Sequence, residues 1–180
     1  MNSFQVIAIP TEVAEWVRKT GKAPQYGFPA HMEVAAGRAP CRHCLQLIRM
    51  KEEKLILFTY DPFQDLGVPP LPGPIYIHAA PCKRHVGANS IPEEYRGRRL
   101  TFAAYGEDRQ SLEKVRLTTG NEDEEAQRLF ASPAVKYIHV RSTEAGCYLF
   151  RLDRTQKAWQ ETEDPCLKME RPSQSVARSS

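Results

Sequence analysis

The chain has 180 residues, of which 41% are hydrophobic and 26% charged, and its formal net charge is +3. This composition excludes a wholly disordered or fibrous chain, and the mild charge argues against dedicated nucleic-acid binding. No apolar run approaches the ~20 residues that span a bilayer, and residues 1–20 lack the basic start and apolar block of a secretory signal. We therefore expect a cytoplasmic protein with no membrane segment.

The N-terminal part of the chain predicts a strand, a helix and a loop. Residues 4–9 predict an opening strand, which Pro10 ends. Thr11 is expected to cap a short helix that Gly21 ends. The apolar face of this helix has i, i+3, i+4 spacing and comprises Val13, Trp16 and Val17. Residues 21–40 are rich in glycine, proline and alanine, which indicates an irregular loop.

The middle of the chain predicts strands separated by a proline-rich loop. Residues 54–60 form the clearest buried strand, and residues 75–79 and 99–105 predict two more. The five prolines between positions 61 and 74 exclude a helix or a central strand there, and long loops of this kind are often functional. Residues 112–118 are compatible with a strand or with an irregular connection.

The C-terminal half predicts a helix followed by a hairpin. Asn121 and Glu124 resemble a capping box, and the acidic residues 122–125 suit a helix N-terminus, so we assign them no function. Residues 135–141 and 147–153 predict two strands joined by a short loop. The sequence therefore predicts an α+β domain with a largely antiparallel sheet and two short helices over residues 1–159, and a disordered tail over residues 160–180.

Several short segments together resemble a bacterial family known as domain of unknown function 1203. The segments are Pro40-Cys41-Arg42-His43-Cys44-Leu45, Tyr60-Asp61-Pro62-Phe63, Gly73-Pro74-Ile75-Tyr76-Ile77-His78-Ala79, Tyr137-Ile138-His139-Val140-Arg141 and Gly146-Cys147-Tyr148. The resemblance covers most of residues 3–154. It implies an intracellular single-domain protein, and it supplies neither a catalytic residue nor a substrate.

Cysteine and histidine spacing predicts a candidate zinc site. The chain has five cysteines, and this odd number without a signal sequence favours reduced thiols. Cys41-x2-Cys44 and His78-x3-Cys82 supply four donors of the types that tetrahedral zinc prefers. The alternative is that residues 42–47 continue as a strand, in which case the first two cysteines point to opposite faces and cannot share a metal.

A second cofactor hypothesis uses a different pairing of the same region. Cys41-x-His43 and Cys82-x2-His85 match the two half-motifs that hold a Rieske two-iron cluster. The glycines that usually shape such cluster-binding loops are absent, and the halves lie far apart in the sequence.

A third hypothesis is a cofactor-free pocket between neighbouring strands. The tripeptide Tyr-Ile-His occurs at residues 76–78 and again at residues 137–139. Tyr and His two apart in a strand share a face, so Tyr76 with His78, and Tyr137 with His139, can line one hollow. Arg141 continues the second row and could grip an anionic ligand. The alternative is a solvated sheet face with no ligand.

The remaining parts of this pocket hypothesis are a carboxylate and a nucleophile. Asp61, at the start of the proline-rich loop, could complete the binding site. Cys41 or Cys147 could act as a nucleophile with His78 or His139 as its base.

Familiar catalytic motifs for nucleotide, ester and zinc-protease chemistry are missing from the sequence. Short basic runs at residues 83–85 and 96–99 are typical of solvated surface. The leading functional hypothesis is a pocket at His78, His139 and Arg141 that binds or transforms a small polar molecule without a cofactor, and this molecule can be anionic. The alternative hypothesis is a zinc-stabilised protein-interaction module without catalysis.

Overall fold

The computed structural model of the chain describes residues 4–63, 72–87, 89–117 and 120–155. Ten strands and two α-helices occur in this part of the chain. In chain order they are β1 (Phe4–Ile7), α1 (Thr11–Thr20), β2 (His31–Val34), β3 (Ala39–Pro40), β4 (Leu47–Ile48), β5 (Lys54–Tyr60), β6 (Gly73–His78), β7 (Leu100–Tyr105), β8 (Ser111–Arg116), α2 (Glu122–Ala131), β9 (Tyr137–Ser142) and β10 (Tyr148–Arg154). Neither helix is long and apolar enough to cross a membrane.

The strands form two antiparallel sheets and a small ribbon. The larger sheet has the order β1-β10-β9-β7-β8, and the smaller sheet has the order β2-β5-β6. The two-residue strands β3 and β4 pair as a ribbon, with Ala39 opposite Ile48 and Pro40 opposite Leu47. The predicted α+β class with largely antiparallel pairing is therefore confirmed.

Helix α2 packs against one face of the larger sheet. Alternate residues of the central strands, such as Phe102, Ile138 and Phe150, are fully buried in one apolar cluster. Leu129 and Phe130 of α2 complete this cluster. Burial of such side chains contributes about 1.5–3 kcal/mol each, which explains why these strands are apolar on this face.

A second apolar cluster joins the smaller sheet, α1 and the β3–β4 ribbon. Ala14 and Val17 of α1 are fully buried there, together with Ile56 and Ile77 of the sheet. Two cysteines of the ribbon turn, Cys41 and Cys44, belong to the same cluster. Two of the four candidate metal ligands are therefore held by a packed interior.

Most predicted elements are present. Helix α1 ends where Gly21 adopts the left-handed conformation with φ of 64°, as the sequence indicates. The strands predicted near residues 54–60, 75–79 and 99–105 correspond to β5, β6 and β7, and the C-terminal hairpin corresponds to β9 and β10. The undecided segment at residues 112–118 forms β8. Strand β6 includes Pro74, which a sheet tolerates because β6 lies at an edge.

Four local predictions are wrong. Pro10 occupies the N-cap position of α1, and the hydroxyl of Thr11 bonds to a histidine instead of capping the helix. The side chain of Asn121 makes no capping hydrogen bond at α2. Trp16 is 51% exposed, since the buried face of α1 follows Ala14 and Val17. Residues 21–40 contain β2 and β3, because tertiary pairing with β5 and β4 overrides their low strand propensity.

The proposed C-terminal tail lies outside the described residues, as do positions 64–71 of the proline-rich loop.

Candidate metal centre

The turn between β3 and β4 places two cysteine sulfurs on the same side. The N–H of Leu45 donates to the carbonyl of Cys41 at 3.0 Å, and the N–H of Cys41 donates to the carbonyl of Gln46 at 2.9 Å. Leu45 closes this turn with φ of 59°, a left-handed conformation that costs a non-glycine residue roughly 1–2 kcal/mol. Its complete burial offsets that cost. Residues 42–47 therefore do not continue as a strand, and the geometric objection to a shared metal does not apply.

Strand β6 and the segment after it supply the other two donors. His78 is the last residue of β6, and Cys82 follows four residues later. One donor atom from each of Cys41, Cys44, His78 and Cys82 lies within 4.8 Å of every other. The sulfurs of Cys41 and Cys82 are 3.9 Å apart, and Nδ1 of His78 is 3.3 Å from the sulfur of Cys44. Sulfurs bound to one tetrahedral zinc at 2.3 Å lie about 3.8 Å apart, so these separations fit such an ion.

Glu53 lies against the other nitrogen of the histidine. Its Oε2 is 3.6 Å from Nε2 of His78, while Nδ1 faces the cysteines. Backbone hydrogen bonding from Arg49 lowers the pKa of Glu53, which keeps the carboxylate charged. A carboxylate beyond a histidine is the usual partner of a metal-bound imidazole, because it fixes the ring's orientation and tautomer.

Cys82 is surrounded by hydrogen-bond donors. Nη2 of Arg18 in α1 donates to its sulfur at 3.3 Å, and Nδ1 of His43 is 3.2 Å from the same atom. The other ring nitrogen of His43 is 3.1 Å from the hydroxyl of Thr11. An arginine and a histidine beside one sulfur stabilise its thiolate form.

The four clustered side chains change one another's pKa values, because they lie within hydrogen-bonding distance. Hydrogen bonds from Cys41 and Cys44, and then from His43 and His78, lower the pKa of Cys82. The same contacts with Cys41 and Cys82 raise the pKa of Cys44, since neighbouring thiols cannot all ionise without a cation. Hydrogen bonding to Cys41 and Cys82 also raises the pKa of His78 to about 10. Without a metal, the Cys82 thiolate and the protonated His78 thus form an ion pair, and a bound cation would take the place of the protons on these groups.

The donor set distinguishes the two cofactor hypotheses. Cys41, Cys44, His78 and Cys82 are the residues that the zinc hypothesis names, and together they could hold a metal ion. The Rieske hypothesis requires His43 and His85 in place of Cys44 and His78. In the described residues the ring of His43 bonds to Cys82 and to Thr11, and neither His43 nor His85 belongs to the four-donor cluster.

His139 lies elsewhere, in an aromatic cage on the second face of the larger sheet. It is fully buried, so the alternative of a solvated histidine is wrong for this residue. The centroid of its ring is 4.6 Å from that of Phe63 and 5.1–5.2 Å from those of Tyr105, Tyr137 and Tyr148. It does not line the cavity beside His78. The two histidines of the repeated tripeptide are therefore not brought into one hollow there.

The other residues predicted to bind a ligand are distributed over different places. Asp61 is buried, and its Oδ1 accepts the backbone N–H of Phe63 at 3.0 Å. Tyr137 is buried against Tyr105. Arg141 lines a cavity of about 320 Å³. Tyr76 and Cys147 line another, of about 520 Å³, and Cys147 borders both.

Sequence reasoning missed the residues that surround the cluster. Arg18, Thr11 and Glu53 were not connected to it, because each lies on a separate element and has no motif of its own. The Rieske hypothesis names His43 as a metal ligand, whereas the structure places it beside the sulfur of Cys82. The one available signal was the position of His43 between the two cysteines, which places it beside any ion they share.

The comparisons with known proteins agree with the sequence resemblance. The model of the family described as "Protein of unknown function (DUF1203)" matches residues 38–154. The matched range includes all four members of the cluster and Glu53, but not Arg18 or Thr11 of α1. No curated protein and no solved structure matches the chain.

We predict that His139 makes the stability of the fold depend on pH. Burial, and then the charges of Arg141 and Arg151, lower the pKa of His139 well below its ordinary value. The unfolded chain binds a proton near pH 6.5 that the folded protein does not, so acidification below that pH destabilises the fold by up to about 1.4 kcal/mol per pH unit. The variant His139→Phe should lose this contribution in urea unfolding at pH 7.5 and 5.5.

The matched control is His31→Gln, since the side chain of His31 is 67% exposed. It should retain the wild-type pH dependence. An unchanged pH dependence in His139→Phe would contradict the prediction.

Proposed function

This chain belongs to the DUF1203 family, and we propose that it is a zinc-binding domain in which the ion has a structural role. The observation that carries the proposal is the four-donor cluster of Cys41, Cys44, His78 and Cys82. Three thiolates and one imidazole are a donor set that selects zinc over magnesium or calcium, which prefer oxygen.

The number of donors supports a structural role. Structural zinc sites use four protein ligands, whereas catalytic sites keep one position open for water or substrate. Here four protein donors are available to fill the four positions around the proposed ion, and Cys41 and Cys44 are buried. The ion would therefore stabilise the fold. It would have no open position at which a substrate could react.

The charge around the cluster supports the same assignment. Three thiolates and Zn²⁺ carry one net negative charge, and burying such a charge is costly unless a cation compensates it. The guanidinium of Arg18 supplies that compensation at the sulfur of Cys82. It also donates through Nε to the carbonyl of His78 at 3.2 Å. One arginine of α1 thus contacts two of the four proposed ligand residues.

The proposed ion would join parts of the chain that are distant in sequence. Cys41 and Cys44 lie in the β3–β4 turn, and His78 ends β6. Cys82 lies in a segment without regular secondary structure. A single ion would therefore fix this segment to the ribbon, to the smaller sheet and, through Arg18, to α1.

The first test is the metal content of the full-length protein. We expect one Zn²⁺ per chain by elemental mass spectrometry after dialysis, and a near-complete loss of zinc in Cys44→Ser, because three donors no longer close the site. Co²⁺ added to metal-free wild-type protein should give the charge-transfer and visible absorption bands of tetrahedral thiolate ligation.

The matched control for this test is Cys147→Ser, which removes a cysteine outside the cluster and should retain stoichiometric zinc. Folding of each variant is checked by circular dichroism. Folded wild-type protein that contains no zinc and gives no cobalt spectrum would overturn the proposal, and this outcome does not depend on the stability of any variant.

The second test is the effect of the metal on stability. A ligand that binds only the folded state stabilises it by about 4 kcal/mol at a free concentration one thousand times its Kd. Chelation of zinc should therefore lower the free energy of unfolding by about this amount, measured by urea denaturation with and without chelator. Cys44→Ser should show no such difference. Equal stability of the zinc-loaded and chelated wild-type protein would exclude a structural role.

The third test concerns the carboxylate beyond His78. Glu53→Gln should weaken zinc binding by about tenfold, because the loss of charge leaves the imidazole less well oriented and less basic. Glu52→Gln is the matched control, since Glu52 forms an ion pair with Arg49 at 3.1 Å and has no contact with His78. Competition with a chromophoric chelator measures both affinities. Equal weakening in the two variants would assign the effect to Arg49 instead.

A further inference from the structure

A cavity of about 520 Å³ lies beside the same turn that carries the candidate zinc ligands. Arg42, between the two cysteines of the turn, extends to β10 and lines this cavity. Its Nε donates to the carbonyl of Tyr148 at 2.8 Å, and its Nη2 donates to the sulfur of Cys147 at 3.0 Å. The turn thus presents thiols to the cluster and a guanidinium to the cavity.

The lining of the cavity is strongly basic. Its charged residues are Arg38, Arg42, Arg98, Arg99 and Glu144. Four arginines against one glutamate give an excess of three positive charges. The one ion pair among these residues joins Arg99 to Glu144 at 3.7 Å, with both side chains 75% exposed, so solvent screens it strongly.

Arg42 is the most deeply buried of these arginines, so its charge is the most costly. It is 1% exposed, and its hydrogen bonds go to neutral groups: the carbonyls of Pro40 and Tyr148 and the thiol of Cys147. Within the described residues no carboxylate lies within ion-pair distance of it. These bonds use three of its five N–H groups. The ring of Tyr76, whose centroid is 5.5 Å from Cζ of Arg42, compensates part of this charge. A bound anion would compensate the rest, since a buried guanidinium without a partner charge is destabilising.

Tyr95 gives an independent indication of a ligand. It lines the same cavity and is 1% exposed, yet its hydroxyl has no hydrogen-bond partner in the described structure. A buried hydroxyl without a partner costs about 1–3 kcal/mol. Burial raises the pKa of Tyr95, so the hydroxyl remains protonated and able to donate. Tyr95 and Arg42 line the same cavity.

We propose that this cavity binds the phosphate group of a small organic phosphate monoester, with Arg42, Arg98 and Tyr95 as donors. Several guanidiniums and a hydroxyl supply more donors than one carboxylate accepts, whereas the oxygens of a phosphate can use them all. The volume is in the range of small-molecule sites and exceeds what inorganic phosphate fills. The ring of Tyr76 and the side chains of Leu100 and Leu149 also line it, and they suit an organic substituent.

The proposed ligand is an anion, as the sequence analysis expects. Its site, however, is not the expected pocket at His78, His139 and Arg141. Tyr76 is the one residue of the predicted ligand set that lines this cavity. The proposal does not depend on zinc, and the two can fail separately.

The test measures binding of phenyl phosphate to the zinc-loaded full-length protein by isothermal titration calorimetry at low salt. We expect saturable binding of one molecule per chain, weaker binding of inorganic phosphate, and weaker binding still of benzoate. Tyr95→Phe should fold as the wild type does, because it removes a hydroxyl that has no partner. It should weaken phenyl phosphate binding by about tenfold, and Arg98→Gln should do so at least as strongly.

The matched control is Lys136→Gln, which removes a basic residue that lines a different cavity and should leave binding unchanged. Zinc content is measured in every sample, so a zinc-loaded protein that does not bind phenyl phosphate overturns this inference alone. Equal binding in the wild type, Tyr95→Phe and Arg98→Gln would overturn it as non-specific attraction. Displacement of phenyl phosphate by an RNA oligonucleotide that binds more tightly, with the same loss in both variants, would overturn the small-ligand assignment in favour of a nucleic-acid backbone.

Discussion

The central feature of the structure is the convergence of four donor atoms, from the ribbon turn, the end of β6 and the segment after it, to within 4.8 Å of one another. The backbone enforces it from two directions. The N–H of Ile9 donates to the carbonyl of Arg42 at 3.1 Å, and the N–H of Arg42 donates to the carbonyl of Tyr76 at 3.0 Å. The turn is thereby fixed between the N-terminal segment and β6. Without these bonds the ribbon, which has only two residues in each strand, would be too short to hold its cysteines in place.

The side chains of consecutive residues in this turn contact different parts of the molecule. Cys41 and Cys44 face the donor cluster, His43 bonds to Thr11 of α1, and Arg42 extends to β10. Leu45 is buried in the other apolar cluster, with α2 and the larger sheet. A turn whose side chains point outward in several directions can join two cores that separate sheets build. This arrangement also explains why a proposed metal site and a proposed anion site can share one short segment without sharing a ligand.

The aromatic cage of His139 shows that a correctly predicted strand face does not reveal what packs against that face. Tyr137, His139 and Arg141 share one face of β9, as alternation requires. Phe63, from the segment after β5, packs against His139 on that face, and Tyr105 of the neighbouring strand lies beside Tyr137. A polar row can face solvent, a pocket or a second layer. Its own sequence contains no information about the segment that packs on top of it.

The α+β class, the antiparallel hairpin of β9 and β10 and the four candidate metal donors could be predicted from the sequence, because hydrophobic periodicity, turn residues and ligand spacing are local properties of the chain. The tertiary structure was needed to show that the two cysteines of the turn point the same way, since this depends on the left-handed conformation of Leu45 and on bonds to distant backbone. It alone also decided that Arg18 and Glu53 flank the cluster, and that Arg42 and Tyr95 meet at one cavity. These are long-range contacts between residues that carry no motif, and the packing of the two cores creates them.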